Sequence, residues 1–230
     1  MHLQMIDYRK FRLNKLNDKE FSHIKLLLFW PLFGLVFSFL EKGLKLNYQT
    51  IYCSFDDKIP FCEYFIIPYY FWFVFLIGMQ IYAFFFDIPA FRNYINFTIL
   101  TYTVTIIVYI LFPNQQTLRP MTLPRDNIFS DIVAWMYNFD TNTNVCPSIH
   151  VLGSFAVYFS ARKSKLFSGF WWRAAFLVMT VLISVSTVFL KQHSIIDIIA
   201  ALVLCAVAYP FVYMPDRIKG IKSAFCKVKD

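Results

Sequence analysis

Residues 186–214 read STVFLKQHSIIDIIAALVLCAVAYPFVYM, and this stretch indicates the class of fold. Its second half is an apolar run of membrane-spanning length, because a helix of about 20 apolar residues crosses the hydrocarbon core of a bilayer. The run nevertheless starts beside two ionisable side chains, His193 and Asp197, which are four residues apart. Ionisable groups are costly in lipid and usually mark a functional site. The stretch therefore predicts a membrane helix with a site near its start.

The composition of the whole chain also indicates a membrane protein. Of its 230 residues, 58% are hydrophobic, 20% are aromatic and only 16% are charged, whereas soluble domains average roughly 45–50% apolar and about 25% charged residues. We predict an all-α polytopic membrane protein, a six-transmembrane-helix bundle. The apolar runs that predict its spans cover about 24–40, 64–86, 95–112, 148–161, 172–190 and 194–214, of which the fourth is short.

The net charge of +8 reports topology rather than nucleic-acid binding. Basic residues cluster before the first run and after the last, as expected for the cytoplasmic ends of membrane helices. Arg92 is predicted to lie in the turn between the second and third spans, on the same side. We therefore expect a basic cytoplasmic N-terminal segment (1–23), a membrane domain (24–214) and a basic cytoplasmic tail (215–230). The first 25 residues are polar and basic, unlike a cleaved signal peptide.

This topology predicts that polar residues from distant parts of the chain meet at one membrane face. Arg119, His150, His193 and Asp197 all fall at or near the outer ends of predicted spans. We therefore expect the active site on the extracytoplasmic face.

His193 and Asp197 are the strongest candidates for catalysis. If the last span begins near Ser194, Asp197 lies one helical turn beyond His193 and can bind one imidazole nitrogen. The carboxylate would fix the tautomer and leave the lone pair of the other nitrogen pointing outward, which makes a better nucleophile or base. A buried His–Asp pair that only holds a helix start is an equally good interpretation of this pair alone.

His150 and Ser148 follow Pro147, which suits the first position of a helix. Backbone N–H groups at a helix start favour anions, so His150 could protonate a leaving oxygen beside a phosphate. Arg119 could bind phosphate oxygens through two parallel hydrogen bonds. The alternatives are a capping Ser, an interfacial His and an Arg that contacts lipid headgroups.

The five cysteines give little evidence for a metal site, because no CxxC pair occurs. Cys53 and Cys62 share one predicted loop. They could form a disulfide in an oxidising compartment, or stay reduced.

Taken together, these segments resemble the type-2 phosphatidic acid phosphatase superfamily of six-helix lipid phosphatases and phosphotransferases. That family carries Lys, six intervening residues and Arg-Pro, then Pro-Ser-Gly-His, then Ser-Arg, five intervening residues, His, three intervening residues and Asp. The similarity covers roughly residues 60–214, and the matching residues are Arg119-Pro120, Pro147-Ser148-Ile149-His150, Ser186-Thr187, His193 and Asp197.

The resemblance implies a role for each matching residue and an activity that needs no metal or cofactor. His193 would be the nucleophile that forms a phospho-histidine, and Asp197 would orient it. His150 would protonate the leaving alcohol and then activate the acceptor. Arg119 and Ser148 would hold the phosphate oxygens. The implied function is a phosphoesterase that removes phosphate from a lipid phosphate.

Two departures from the family pattern leave alternatives open. The position of the family's Lys is occupied by Phe112, and the position of its second Arg by Thr187. Lys191 or Arg125 could supply the missing charge from new positions.

The same departures, with Ile149 in place of Gly, are similar to the inositol phosphorylceramide synthase branch. A lipid phosphotransferase that passes a phospho-headgroup to a lipid alcohol is therefore the second hypothesis. A catalytically inactive lipid-binding membrane protein is the third. In each case the expected partners are the bilayer and a membrane lipid phosphate, and no protein partner is evident.

Overall fold

The structure is a computed structural model, and it describes residues 6–42 and 47–215. Its architecture is a bundle of α-helices with almost no strand. The helices are α1 (Phe29–Lys42), α2 (Ile66–Phe86), α3 (Ile88–Leu111), α4 (Ile128–Phe139), α5 (Ile149–Lys163), α6 (Phe170–Phe189) and α7 (Ile195–Tyr213). A short parallel pair joins β1 (Gln49–Thr50) to β2 (Asn114–Gln115). Most of the predicted tail, residues 216–230, lies outside the described residues.

Five helical stretches are long and apolar enough to cross a membrane. They are Ser22–Glu41, which includes a short 3-10 segment before α1, then Glu63–Phe86, Ile88–Leu111, Phe170–Phe189 and Ile195–Tyr213. Their outward surfaces carry many exposed Phe, Ile, Leu and Val side chains. The prediction of an all-α protein with several apolar helices of membrane-spanning length is confirmed, and five of the six predicted spans meet that length.

The predicted fourth span is a helix, α5, but it is shorter than the others. Its 15 residues extend about 22 Å at 1.5 Å per residue, less than the roughly 30 Å of a bilayer core. It lies at the centre of the bundle and packs against α2, α3, α6 and α7. Most of its side chains are buried by these neighbours rather than exposed to lipid.

Gly153 explains how α5 comes so close to α2 and α3. A Cβ atom at this position would lie 2.6 Å from the Tyr102 hydroxyl and 3.1 Å from both Leu76 and Trp72. Only glycine therefore fits this contact without displacing a neighbour, and the approach sets how far His150, one turn earlier, reaches into the bundle.

The boundary between the second and third spans differs from the prediction. Asp87 alone separates α2 from α3, because its carboxylate accepts the Ala90 N–H at 3.1 Å and Pro89 suits the first turn. Arg92 therefore lies within α3 instead of in a turn, and its guanidinium donates to the Ser22 hydroxyl at 3.0 Å. Hydropathy alone missed this start because polar and aromatic residues follow Asp87.

The two ends of the bundle are built differently. At one end, Ser164 binds both Asp87, at 2.8 Å, and the Tyr82 hydroxyl, at 2.9 Å. At the other end, the segments 47–62, 112–148 and 190–194 lie over the helix ends and include the β1–β2 pair and α4. All of the sequence-predicted site residues lie at this second end.

Candidate active site

His193 and Asp197 form the pair that their spacing predicts. His193 lies in the turn between α6 and α7, and its Nδ1 is 3.0 Å from Asp197 Oδ2. Both side chains are buried. The same carboxylate oxygen accepts the Ser194 N–H at 3.0 Å, and Ser194 caps α7. Because Asp197 is held by this capping box, it can fix the imidazole with Nδ1–H donating and the Nε2 lone pair directed away.

Asp56 supports this turn from a distant loop, a contact that sequence reasoning missed. Its carboxylate accepts the Ser194 hydroxyl at 2.6 Å and the Ile195 N–H at 2.9 Å. The carboxylates of Asp56 and Asp197 therefore lie at the N-terminus of α7, where a helix favours negative charge. A buried Asp in a polar loop is not visible in hydropathy, so no signal in the sequence identified this contact.

Ser148 occupies the other side of His193. The Ser148 hydroxyl lies 3.3 Å from His193 Nε2, and its backbone N–H donates to the Asp197 carbonyl at 3.3 Å. Ser148 is fully buried at the start of α5. The structure thus places a hydroxyl, an imidazole and a carboxylate in one hydrogen-bonded series, of which only the His193–Asp197 bond was predicted.

His150 lies beside His193 in an aromatic environment. The two imidazole ring centres are 5.6 Å apart. The rings of Tyr69 and Trp72, both on α2, each have their centres 4.5 Å from the His150 ring. Within the described part of the chain, the buried Nδ1 atom of His150 has no hydrogen-bond partner. The structure therefore brings the predicted nucleophile and the predicted acid together, and leaves one polar atom of the acid unused.

Arg119 approaches the same region but is held by neutral oxygens. Its Nε donates to the Gln192 side chain at 2.9 Å, and its Nη atoms donate to the carbonyls of Tyr137 at 3.0 Å, Asp140 at 2.7 Å and Thr141 at 2.8 Å. The guanidinium also stacks 4.5 Å above the Tyr137 ring. Burial lowers the pKa of Arg119, but an arginine remains charged at neutral pH.

A small cavity connects these groups. Its volume is about 30 Å³, and both imidazoles, Gln192, Asp140 and Asn144 line it. A water-sized probe needs roughly 10–15 Å³, so the cavity holds about two water molecules and no phosphate group in this conformation. The Asp140 carboxylate accepts the Tyr69 hydroxyl at 2.6 Å and the Gln192 amide at 3.3 Å. A phosphate-sized group would therefore have to widen the cavity, and Gln192 is the side chain that joins Arg119 to the carboxylate of Asp140.

Two candidate replacement cations lie away from the cavity lining. Lys191 adopts a left-handed backbone conformation, with φ of 53°, and its ammonium group donates to the carbonyls of Asp56 at 2.7 Å and Ile59 at 2.6 Å. Burial lowers the pKa of Lys191. Arg125 forms two hydrogen bonds with Glu63, at 2.6 Å and 2.5 Å. In this arrangement both cations hold loops of the site end, and neither lines the cavity.

Phe112 and Thr187, which stand where the family pattern has Lys and Arg, bring no charge to the site. Phe112 ends α3 and is exposed. Thr187 is buried near the end of α6, and its carbonyl accepts the N–H groups of Gln192 at 2.9 Å and His193 at 3.1 Å. Thr187 therefore shapes the turn that carries His193, without supplying charge.

Asn114 is a second residue whose role was not predicted. Its side chain accepts the N–H groups of Val145 and Cys146, both at 2.8 Å, and donates to the Cys146 carbonyl at 3.0 Å. It thereby fixes the segment that leads into Pro147 and Ser148. Asn114 lies two residues after the third predicted span, but it binds residues far away in the chain, so no local pattern indicated these contacts.

The sequence left a disulfide open and gave little evidence for a metal site. Cys53 and Cys62, which could have paired, are free thiols. Burial raises the pKa of Cys146 to about 12, which makes this thiol unreactive at neutral pH. Within residues 6–42 and 47–215, no group of three or more His, Cys, Asp or Glu side chains is placed to hold a metal ion.

The chain was compared with known proteins in three ways. No protein-family model, no curated protein and no solved structure matches it.

Proposed function

We propose that this protein is an integral membrane phosphoesterase that removes phosphate from a lipid phosphate through a phospho-histidine at His193. One observation carries the proposal. The imidazole of His193 lies between Asp197, at 3.0 Å from Nδ1, and Ser148, at 3.3 Å from Nε2, with the second imidazole of His150 alongside. Phosphoryl transfer requires a positioned nucleophile and acid more than any covalent help from the protein.

In the first step, Nε2 of His193 attacks phosphorus and the bond to the lipid oxygen breaks. His150 in its protonated form donates a proton to that oxygen, so the lipid leaves as an alcohol. In the second step, His150 accepts a proton from water as the water attacks phosphorus. The N–P bond then breaks, inorganic phosphate leaves, and both imidazoles return to their starting states.

The neighbouring groups have supporting roles in this proposal. The Asp197 carboxylate stabilises positive charge that develops on His193 during attack. Ser148 and Arg119 hold phosphate oxygens, and Arg119 exchanges its contact with Gln192 for the phosphate when the cavity widens. Lys191 acts indirectly, because its ammonium group fixes the loop that contains Asp56.

A second candidate is favoured by the charges around the cavity. Arg119 binds the side chain of Gln192, which lines the cavity, and Asp140 lines the same cavity. A phosphate monoester carries about −1.5 to −2 charges at pH 7, whereas a phosphodiester carries a single negative charge. The modest positive charge therefore suits a lipid phosphodiester, whose phospho-headgroup would pass through His193 to a lipid alcohol.

The decisive experiment measures products and the covalent intermediate together. Purified protein in lipid nanodiscs is incubated with lipid phosphate monoesters and phosphodiesters, with and without lipid alcohol acceptors. Release of inorganic phosphate supports the phosphoesterase, and a new phospholipid supports the transferase. With radiolabelled phosphate, acid-labile and alkali-stable label on the protein identifies phospho-histidine.

His193→Ala must abolish both the products and the label. His23→Gln is the matched control, because His23 is also buried but binds the Tyr8 hydroxyl at the opposite end of α2. A folded protein with neither product nor label on any substrate would contradict both enzymatic proposals and favour a lipid-binding role.

We also propose six membrane helices, with both termini in the cytoplasm and the site on the extracytoplasmic face. Met121, at the site end, and Leu166, between α5 and α6, are both exposed and suit a labelling test. After Cys53, Cys62 and Cys226 are replaced by Ser, an impermeant maleimide should label Met121→Cys in intact cells. Leu166→Cys should react only after permeabilisation, and the reverse pattern would invert the topology.

A further inference from the structure

Helix α4 is not a predicted span, and its side chains divide into three faces. Ser130, Val133 and Met136 are buried at three-residue spacing. Val133 and Met136 belong to a small core with Ile66 at the start of α2 and Leu190 at the end of α6. One face of α4 is therefore attached to the bundle at the site end.

A second face of α4 is apolar and exposed. Ile128, Trp135 and Phe139 are 68%, 61% and 70% exposed, and with the half-buried Ile132 they recur at i, i+4, i+7 and i+11, which is a single helical stripe. The rings of Trp135 and Phe139 stack with their centres 5.8 Å apart. Ile132 also packs against the small core, and the described part of the chain leaves Ile128, Trp135 and Phe139 largely uncovered.

The third face is polar and lies next to the stripe. Asp131 and Asn138 are exposed, and successive residues turn by about 100° around a helix. A helix with a core face, an exposed apolar stripe and an exposed polar edge matches the requirements of a helix at a lipid–water boundary.

The stripe continues a surface that already faces lipid in a membrane. The ring of Phe129 in α4 lies 5.2 Å from the ring of Tyr64 at the start of the second apolar stretch, and Arg125 and Asn127 bind Glu63 beside it. Tyr64 and Ile67 are both exposed on this stretch, which is long and apolar enough to span a bilayer. The stripe of α4 therefore adjoins the end of a stretch of membrane-spanning length, and the ends of such helices meet the headgroup region of a bilayer.

We propose that α4 is an interfacial helix that lies along the membrane surface and inserts the stripe of Ile128, Ile132, Trp135 and Phe139 into the lipid leaflet at the site end. Its binding partner is the bilayer itself. Trp and other aromatic residues are favoured at this depth because an amphipathic ring meets both acyl chains and headgroups.

Residues at the end of α4 contact Arg119 and the cavity, so a lipid contact of α4 also affects the candidate site. Tyr137, near the end of the helix, stacks under Arg119 and donates its hydroxyl to the Leu190 carbonyl at 2.7 Å. Asp140, which follows the helix, lines the cavity and accepts from Arg119 through its carbonyl. The membrane surface therefore holds one wall of the cavity, independently of which reaction occurs there.

Photo-crosslinking tests the proposal directly in the full chain. The photoreactive amino acid p-benzoylphenylalanine replaces Trp135, Phe139 or Asn138 in separate variants, each reconstituted into phosphatidylcholine vesicles. Asn138 is the matched control, because it is exposed on the same helix but on the polar edge. Trp135 and Phe139 variants should form lipid adducts several times more efficiently than the Asn138 variant.

Equal adduct yields at the three positions would overturn the proposal, and so would crosslinks from Trp135 and Phe139 to a second copy of the chain. A measurement without the photoreactive group gives a second test. The fluorescence of Trp135 is obtained by subtracting the signal of Trp135→Phe from that of the wild type. Phosphatidylcholine brominated near the headgroup should quench this fluorescence. If the brominated lipid does not quench the fluorescence of Trp135 while a water-soluble quencher does, Trp135 lies in water and does not contact lipid.

Discussion

The carboxylate of Asp197 both caps helix α7 and binds the imidazole of His193. It accepts the Ser194 N–H in the cap of α7 and lies 3.0 Å from His193 Nδ1. Any movement of the helix start would therefore change the direction of the Nε2 lone pair. This coupling explains why a costly acid is placed at the start of an apolar helix.

Asp197→Asn separates these two tasks. Asn keeps the size of the side chain and an oxygen that can accept the Ser194 N–H, but it removes the negative charge beside the imidazole. We expect phospho-histidine formation to fall by about 10²–10⁴, the range for loss of acid–base assistance, with little change in thermal stability. A wild-type rate of formation, measured by rapid quench, would show that the pair is only structural.

Ser148→Ala tests which atom is the nucleophile. A hydroxyl that only binds phosphate contributes roughly 1 kcal/mol through its hydrogen bond, so we expect a loss of about tenfold or less and persistent label on His193. The same three side chains also fit the order of a serine hydrolase, in which the hydroxyl attacks. Activity as low as that of His193→Ala, measured side by side, would move the nucleophile to Ser148.

At the scale of the element, the short helix α5 depends on one glycine. A Cβ atom at Gly153 would meet the Tyr102 hydroxyl, and that hydroxyl donates to the Ile149 carbonyl at 3.2 Å. The buried Tyr102 ring has little freedom to move, because the centre of the Phe33 ring lies 4.9 Å from its own. The close approach of α5 to α3 therefore depends on the absence of a side chain at Gly153.

Gly153→Ala should lower the free energy of unfolding by about 1–3 kcal/mol, the usual cost of overpacking. Gly78→Ala is the matched control on α2, because a Cβ atom there has no neighbour within 4 Å. The control should be neutral or slightly stabilising, since Ala favours helix more than Gly. Thermal unfolding in detergent measures both, and equal effects would contradict the packing argument.

The cap of α7 depends on an acid from another loop. Asp56→Ala removes the acceptor of the Ser194 hydroxyl and the Ile195 N–H, and we expect a cost of about 1–3 kcal/mol for the unpaired groups. Asp57→Ala is the control, because Asp57 is exposed and binds only the nearby Tyr52 hydroxyl among its described contacts. Denaturation in detergent should rank the variants in this order, and an unaffected Asp56→Ala protein would show that Asp197 caps the helix alone.

At the scale of the whole molecule, the apolar exterior of the long helices is consistent with insertion into a membrane. Five stretches have the length and hydropathy of spans, and large apolar side chains cover their outer surfaces. We expect the protein to remain in the membrane pellet after washing with alkaline carbonate, which releases peripheral proteins. Recovery in the supernatant would contradict integral insertion, and a peripheral membrane protein in the same sample provides the control.

Hydropathy predicted the long helices well and missed features that depend on polar or short segments. The starts of α6 and α7 lie close to the predicted runs, because continuous apolar sequence is a strong signal. The start of α3 was placed too late, since Asp87 and Pro89 cap it without apolar character. Helix α4 was missed because its 12 residues are amphipathic and too short to span.

The candidate site was predictable where its contacts are local. His193 and Asp197 are one helical turn apart, so their spacing alone predicted the bond between them. The order of the motifs and the predicted topology placed His150 and His193 at the same membrane face, which predicted that they lie close together. Asp56, Asn114 and Asp140 were not predictable, because each binds residues far away in the chain through loop geometry.

By itself, the sequence determined that the chain folds as apolar helices of membrane-spanning length and that His193 pairs with Asp197, because hydropathy and helical spacing act over short stretches. Only the tertiary structure decided where the charges lie. It directs Lys191 to the carbonyls of a loop, Arg125 to Glu63 and Arg119 to the Gln192 side chain beside the cavity. Long, flexible cationic side chains bind whichever acceptors the folded loops present, and the sequence does not encode those positions locally.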